Sequence, residues 1–168
     1  MTRSRSLRRV STAVDAVADV AAEAEAVEIA DAVAAFAQAR GRSIVIEWSP
    51  RLAGAVCGQR REYDDRDVIA LAPGLPDPER TLAHELGHIV FGHRGVQARD
   101  ALLEVSDDLI AYMLNERRLE AGDSADDEAA VDEWEAETFA SLFLARVKTM
   151  RGRGHTVSVL RYDEALGR

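Results

Sequence analysis

The sequence predicts an α+β fold: a small antiparallel sheet packed with a long N-terminal helix, a helix carrying the pattern H-E-x-x-H, and C-terminal helices. Three observations predict it. From Val10 to about Arg40 the chain is Ala-rich and free of Gly and Pro, and Ala is the best helix former. Between Ser43 and Gly74 short strand-like runs are separated by turn residues, as in a small sheet. From Thr81 onward apolar residues return at three- and four-residue intervals, which places them on one helix face.

Arg3, Arg5, Arg8 and Arg9 read as a basic, disordered arm over residues 1–9, ahead of a single domain over 10–168. Asp15, Asp19, Glu23, Glu25 and Glu28 interrupt any apolar core that a signal peptide would need. No run approaches the roughly 18 apolar residues of a membrane span, so the expected location is cytoplasmic. Val10, Val14, Val17, Ala21, Ala24, Val33 and Phe36 recur near helical spacing, in one long helix or two short ones that end at Gly41. The strands expected are Ser43–Trp48, a weaker one within Ala55–Tyr63, and Arg66–Ala72, closed by Pro73-Gly74. If the last of these is a sheet edge, its backbone is available to pair with an extended peptide. Further helices are expected at about Asp100–Glu120 and Ala129–Arg151, with a loop at Ala121–Glu128 between them. His155–Leu160, HTVSVL, reads as strand-like or extended.

The chain has 168 residues, 47% of them hydrophobic, enough for one domain with a real core. Its 30 acidic and 21 basic residues give a net charge of -9. That balance argues against nucleic acid as a direct partner and favours a basic one. Cys57 is the lone cysteine, so an internal disulfide is excluded and a reducing compartment fits; by itself it reads as a small buried apolar residue.

The chemistry concentrates in Thr81–His93, TLAHELGHIVFGH. On a helix His84 and His88 stand one turn apart and aim two imidazoles at one spot. Neutral imidazoles suit Zn²⁺, and a catalytic zinc takes three protein ligands with a further position for water. Glu85 is rotated by about 100° from His84, so it faces that water as a general base without binding the metal. Pro76, Pro78 and Glu79 give the helix its start, and Gly92 its stop. His93 does not fit the H-E-x-x-H-x-x-G-x-x-H extension and reads as a solvent-facing or helix-terminal histidine. The third ligand is then a carboxylate from a later helix. Glu133, Glu135 and Glu137 alternate in DEWEAETFASLFL, and because neighbours two apart differ by about 200°, only some of them can turn inward.

Taken together, VIALAP, ERTLAHELGH and an E-x-E-A-x-x-F-A pattern at Glu133, Glu135, Ala136, Phe139 and Ala140 resemble the ImmA/IrrE family of zinc metallopeptidases, a gluzincin-like group. The resemblance spans about Ile44 to Leu144. It implies Zn²⁺ held by His84, His88 and Glu135, with Glu85 as catalytic base. The interval between His88 and Glu135 is longer than usual for the family, and Glu137 stands where Asn often does. The implied substrate is a helix-turn-helix transcriptional repressor of a phage, mobile element or stress regulon. Two other roles fit the same sequence: a non-cleaving anti-repressor, or a protease-fold toxin of a toxin-antitoxin pair. Peptide hydrolysis also needs an oxyanion partner, for which Tyr63, Tyr112, His155 and Tyr162 are the candidates.

Overall fold

The structure is a computed structural model describing residues 4–52, 54, 56–93, 96–97 and 123–166, with side chains described as far as residue 93 and again over 128–151. Helices α1 (Leu7–Glu23) and α2 (Ile29–Arg40) lead into β1 (Ser43–Trp48), β2 (Gly58–Glu62) and β3 (Arg66–Leu71); then come α3 (Pro78–Phe91), the two-residue β4 (Val96–Gln97) and α4 (Asp123–Leu166). The architecture is α+β, a small sheet packed with helices. No helix among the described residues is long and apolar enough to cross a membrane.

The long N-terminal helix resolves into two. Ser6 caps α1 by accepting from the Arg9 backbone N–H, so Arg8 and Arg9, expected in an arm over 1–9, belong to the helix. The chain then turns at Glu25, whose φ is 54°. A reciprocal cap restarts it: the Asp31 carboxylate accepts from the Glu28 N–H while the Glu28 side chain serves the first turn. Gly41, with φ 68°, closes α2. Val10, Val14, Val17, Ala21 and Val33 are buried as their spacing predicts, whereas Ala24 lies exposed at the turn.

The sheet order is β1-β3-β2-β4. It is mixed and not purely antiparallel, because β1 runs parallel to β3 while β2 and β3 form a hairpin. β3 is therefore interior, with Val68 to Leu71 buried, and offers no edge to a peptide. Cys57, expected inside, is exposed. Asp67, fully buried on β3, accepts from Arg40, Arg42 and Arg60, and so ties α2, the turn after it and β2 to the central strand. Burial pushes its carboxyl up, but the three arginines outweigh burial and hold it below the ordinary value of 3.8.

Asp67→Asn removes the charge that these arginines share. Breaking a buried pair costs about 3–5 kcal/mol. Since Arg40 and Arg42 keep 26% and 29% of their side-chain exposure, the lower end of that range is expected, a fall in Tm of about 10 °C by calorimetry. The depressed folded pKa also fixes the sign with pH: the stabilisation is complete above 3.8 and is lost as pH falls below it. The gap between wild-type and variant melting temperatures should therefore close in acid.

The two later segments differ from expectation at their ends. The helix begins at Asp123, inside the expected loop, and continues through HTVSVL to Leu166. Among the described residues no strand pairs with HTVSVL, and a helix satisfies its backbone groups internally despite the β-branched side chains. The helix expected at 100–120 lies outside the described residues. Along its middle, α4 buries Val131, Ala136, Phe139, Ala140, Phe143 and Val147 against α3 and α1. The approach is close: a Cβ on Gly87 would stand 3.0 Å from the Ala136 Cα and 3.2 Å from its carbonyl oxygen. Gly87 lies between His84 and His88, so its missing side chain lets α4 reach the two imidazoles.

Candidate metal centre

The helix that carries the site is fixed at both ends. The Asp77 carboxylate accepts the Arg80 N–H at 2.9 Å, Pro78 takes the first turn, and Gly92 ends the helix with φ 68°. After Gly92 the chain folds back, the His93 N–H donating to the His88 carbonyl at 2.9 Å and the Gly92 N–H to Ile89 at 3.2 Å. This is the paired 6→1 and 5→2 closure of a Schellman cap. It places residue 93 beside residue 88.

His84 and His88 face each other with Nε2 atoms 3.0 Å apart. The acid that joins them is Glu133. Its Oε2 lies 3.5 Å from His84 Nε2 and its Oε1 3.5 Å from His88 Nε2. Donors at the zinc bond lengths of 2.0–2.1 Å in a tetrahedral shell lie about 3.3 Å apart, so this spacing fits one small divalent cation. The site is open on one side: the Glu133 side chain is 66% exposed.

Glu135, expected as the third ligand, is not brought to the imidazoles. It is fully buried, with Oε1 taking a hydrogen bond from Arg9 NH1 at 2.5 Å and Oε2 lying 3.1 Å from His93 Nε2. The reason is helical phase. Val131, Glu135, Phe139 and Phe143 follow one another at four-residue steps and are all buried, so Glu135 belongs to the core stripe of α4 and Glu133 lies about 200° round the helix from it. Glu137 sits behind His84, 3.6 Å from Nδ1, and is paired in turn with Arg80. His93, expected as a solvent-facing or helix-terminal histidine, does close the helix end but is only 3% exposed.

The electrostatics suit cation binding. The neighbouring Glu133 raises the His84 pKa, and His84 in turn holds Glu133 below the ordinary carboxylate range. His88 is lowered to about 4, first by burial and then by the charge of His84. It is thus neutral across the physiological range, the form that ligates a metal. His84 and Glu133 thus stabilise each other's charged forms.

Glu85 stands apart from that group. It is 7% exposed, and burial pushes its pKa up to about 7, against the opposing pull of His84. The Arg60 backbone N–H pulls the pKa the other way, favouring the carboxylate. Gly58 lets β2 come this close, since a Cβ there would lie 2.7 Å from Thr81 Cγ2 and 2.9 Å from Glu85 Oε1. Among the oxyanion candidates, Tyr63 lies five residues beyond Gly58, past the far end of β2 and about 16 Å from Glu85's neighbour, under the Arg66 guanidinium. The side chains of Tyr112, His155 and Tyr162 lie outside the described ones. No family model, curated protein or solved structure matches this chain.

Proposed function

We propose that the protein is a cytoplasmic zinc-dependent endopeptidase of the ImmA/IrrE type, holding its metal through His84, His88 and Glu133 and using Glu85 as the general base. One observation carries the reading: two imidazoles from consecutive turns of α3 and one carboxylate from α4 converge at tetrahedral spacing. Held by His84, His88 and Glu133, a zinc would supply Lewis acidity and acidify water bound beside it. Glu85 would be the residue that holds the proton between the attacking water and the leaving amine. Burial raises its pKa in the cation-free chain to about 7, which favours its holding a proton. Gly58 brings β2 against the Glu85 side chain. The net charge of -9 favours a basic substrate through encounter rate and not through choice of cleavage site. A DNA-binding repressor has that character.

The test joins metal analysis to cleavage. The purified chain should take up one zinc, and incubated with helix-turn-helix repressors from its own genome should cut one of them into two new fragments by mass spectrometry. Chelation should abolish them. Release of the repressor from DNA with no fragment formed would replace this reading by a non-cleaving anti-repressor; fragments only from some other cellular protein would point to the toxin role.

A further inference from the structure

We propose that His93 and Glu135 are positioning residues that act through His88, forming with Arg9 a hydrogen-bonded chain, buried at His93 and Glu135, that orients the His88 ring toward the cation. The inference rests on the metal reading above and concerns residues that touch no cation themselves. His88 turns Nε2 toward His84 and Glu133, and its Nδ1 lies 2.9 Å from His93 Nδ1. A ring that offers the Nε2 lone pair to a metal carries its proton on Nδ1, so His88 donates to His93. The His93 proton then sits on Nε2 and donates to Glu135 Oε2, at 3.1 Å; Asp132 Oδ1 lies 3.4 Å from the same nitrogen. Arg9 donates to the other oxygen of Glu135. Each link has a single direction consistent with cation binding at the far end.

The surroundings hold this chain rigid. His93 is fixed through its backbone by the helix cap and by Arg60, which donates to the His93 carbonyl. Its ring stacks on Phe91, with centroids 5.5 Å apart, and the Arg9 guanidinium lies over the other ring of that pair, 4.9 Å from the Phe91 centroid. Glu135 and the His93 side chain are 0% and 1% exposed, whereas Glu133 is wet. A second cation is the rival use of His93, Asp132 and Glu135, whose donor atoms also lie within 4.8 Å of one another. Arg9 argues against it, because its charge already neutralises Glu135 and would repel a metal at the same carboxylate.

Partners of this kind are worth about 10–100-fold in metal affinity, and that is the quantity to measure. Zinc affinity of the full chain is read by competition with a chromophoric chelator, and ligand geometry by the visible spectrum of the cobalt form. His93→Asn keeps an amide oxygen near the Nδ1 position and should keep most of the affinity. His93→Gln places its amide near the Nε2 position, still reaching Glu135 but not His88, and should weaken zinc by about 10–100-fold with a shifted cobalt band. A role in packing alone would make the two variants alike. Glu135→Gln, equal in volume, should also weaken binding, and it carries the test by itself if the His93 variants do not fold. If the wild type binds one zinc and all three variants match it, the inference is overturned while the metal site stands. A second equivalent of zinc lost in Glu135→Gln would overturn it in favour of a second metal site. A wild type that takes up no zinc removes the metal reading and this proposal with it.

Discussion

Glu85→Gln is expected to lower peptide cleavage by about 10³-fold while zinc stays bound, since positioned acid–base groups contribute roughly 10²–10⁴. The amide cannot accept the proton of water, yet it matches the carboxylate in size. It remains outside the group formed by the His84, His88 and Glu133 donor atoms. The variant should also fold more stably above neutral pH. Burial raises the folded pKa of Glu85 to about 7 from an ordinary 4.5, so the folded state of the cation-free wild type bears the cost of a buried charge as pH rises through 7, and the variant does not. Turnover by Glu85→Gln at the wild-type rate, measured on the same batch of repressor, would remove Glu85 from the mechanism.

Much of this arrangement is legible in the residues themselves. Asp77-Pro78 and Gly92 bracket α3, and the four-residue step from His84 to His88 fixes two donors, because each signal acts within one or two turns of helix. The choice among Glu133, Glu135 and Glu137 depends instead on the phase of α4. The family resemblance assigns the ligand to Glu135. The apolar residues assign that position to the core, since Val131, Phe139 and Phe143 lie four and eight residues from one another and position 135 completes their stripe. Reading that stripe before the motif would have turned Glu133 and Glu137 toward α3.

His93 was hidden for a related reason. A residue after a helix-ending Gly is read as leaving the helix, but the Schellman closure returns it to the residue five before, here His88. Arg9 carries no local signal at all: its partner is 126 positions away, and only the packing of α1 on α4 brings the two together. The ends of α4 differ from the expectation because propensity differences of a few tenths of a kcal/mol per residue are overridden where, among the described residues, the segment has no strand to pair with.

The assignment of Glu133 makes the second large prediction. Glu133→Gln should lower zinc affinity by more than the 10–100-fold expected of a residue outside the ligand set, and by more than Glu135→Gln in the same assay. The charge is the reason. Glu133 is the lone anion among the three donors, and an amide oxygen is a poorer ligand for zinc than a carboxylate. A second readout separates ligation from general electrostatics. Glu133 raises the His84 pKa, so zinc displaces more proton from the wild type than from a variant without that carboxylate, and the difference appears as a dependence of the binding heat on the ionisation enthalpy of the buffer. In Glu133→Gln the His84 pKa falls back and fewer protons leave at neutral pH. The position of Glu133 on the wet face of α4 also makes this variant cheap to fold, so a loss of zinc cannot be blamed on a damaged core. If Glu135→Gln instead loses the metal while Glu133→Gln keeps it, α4 must rotate about its axis on binding and the ligand set is the one the motif alone suggests.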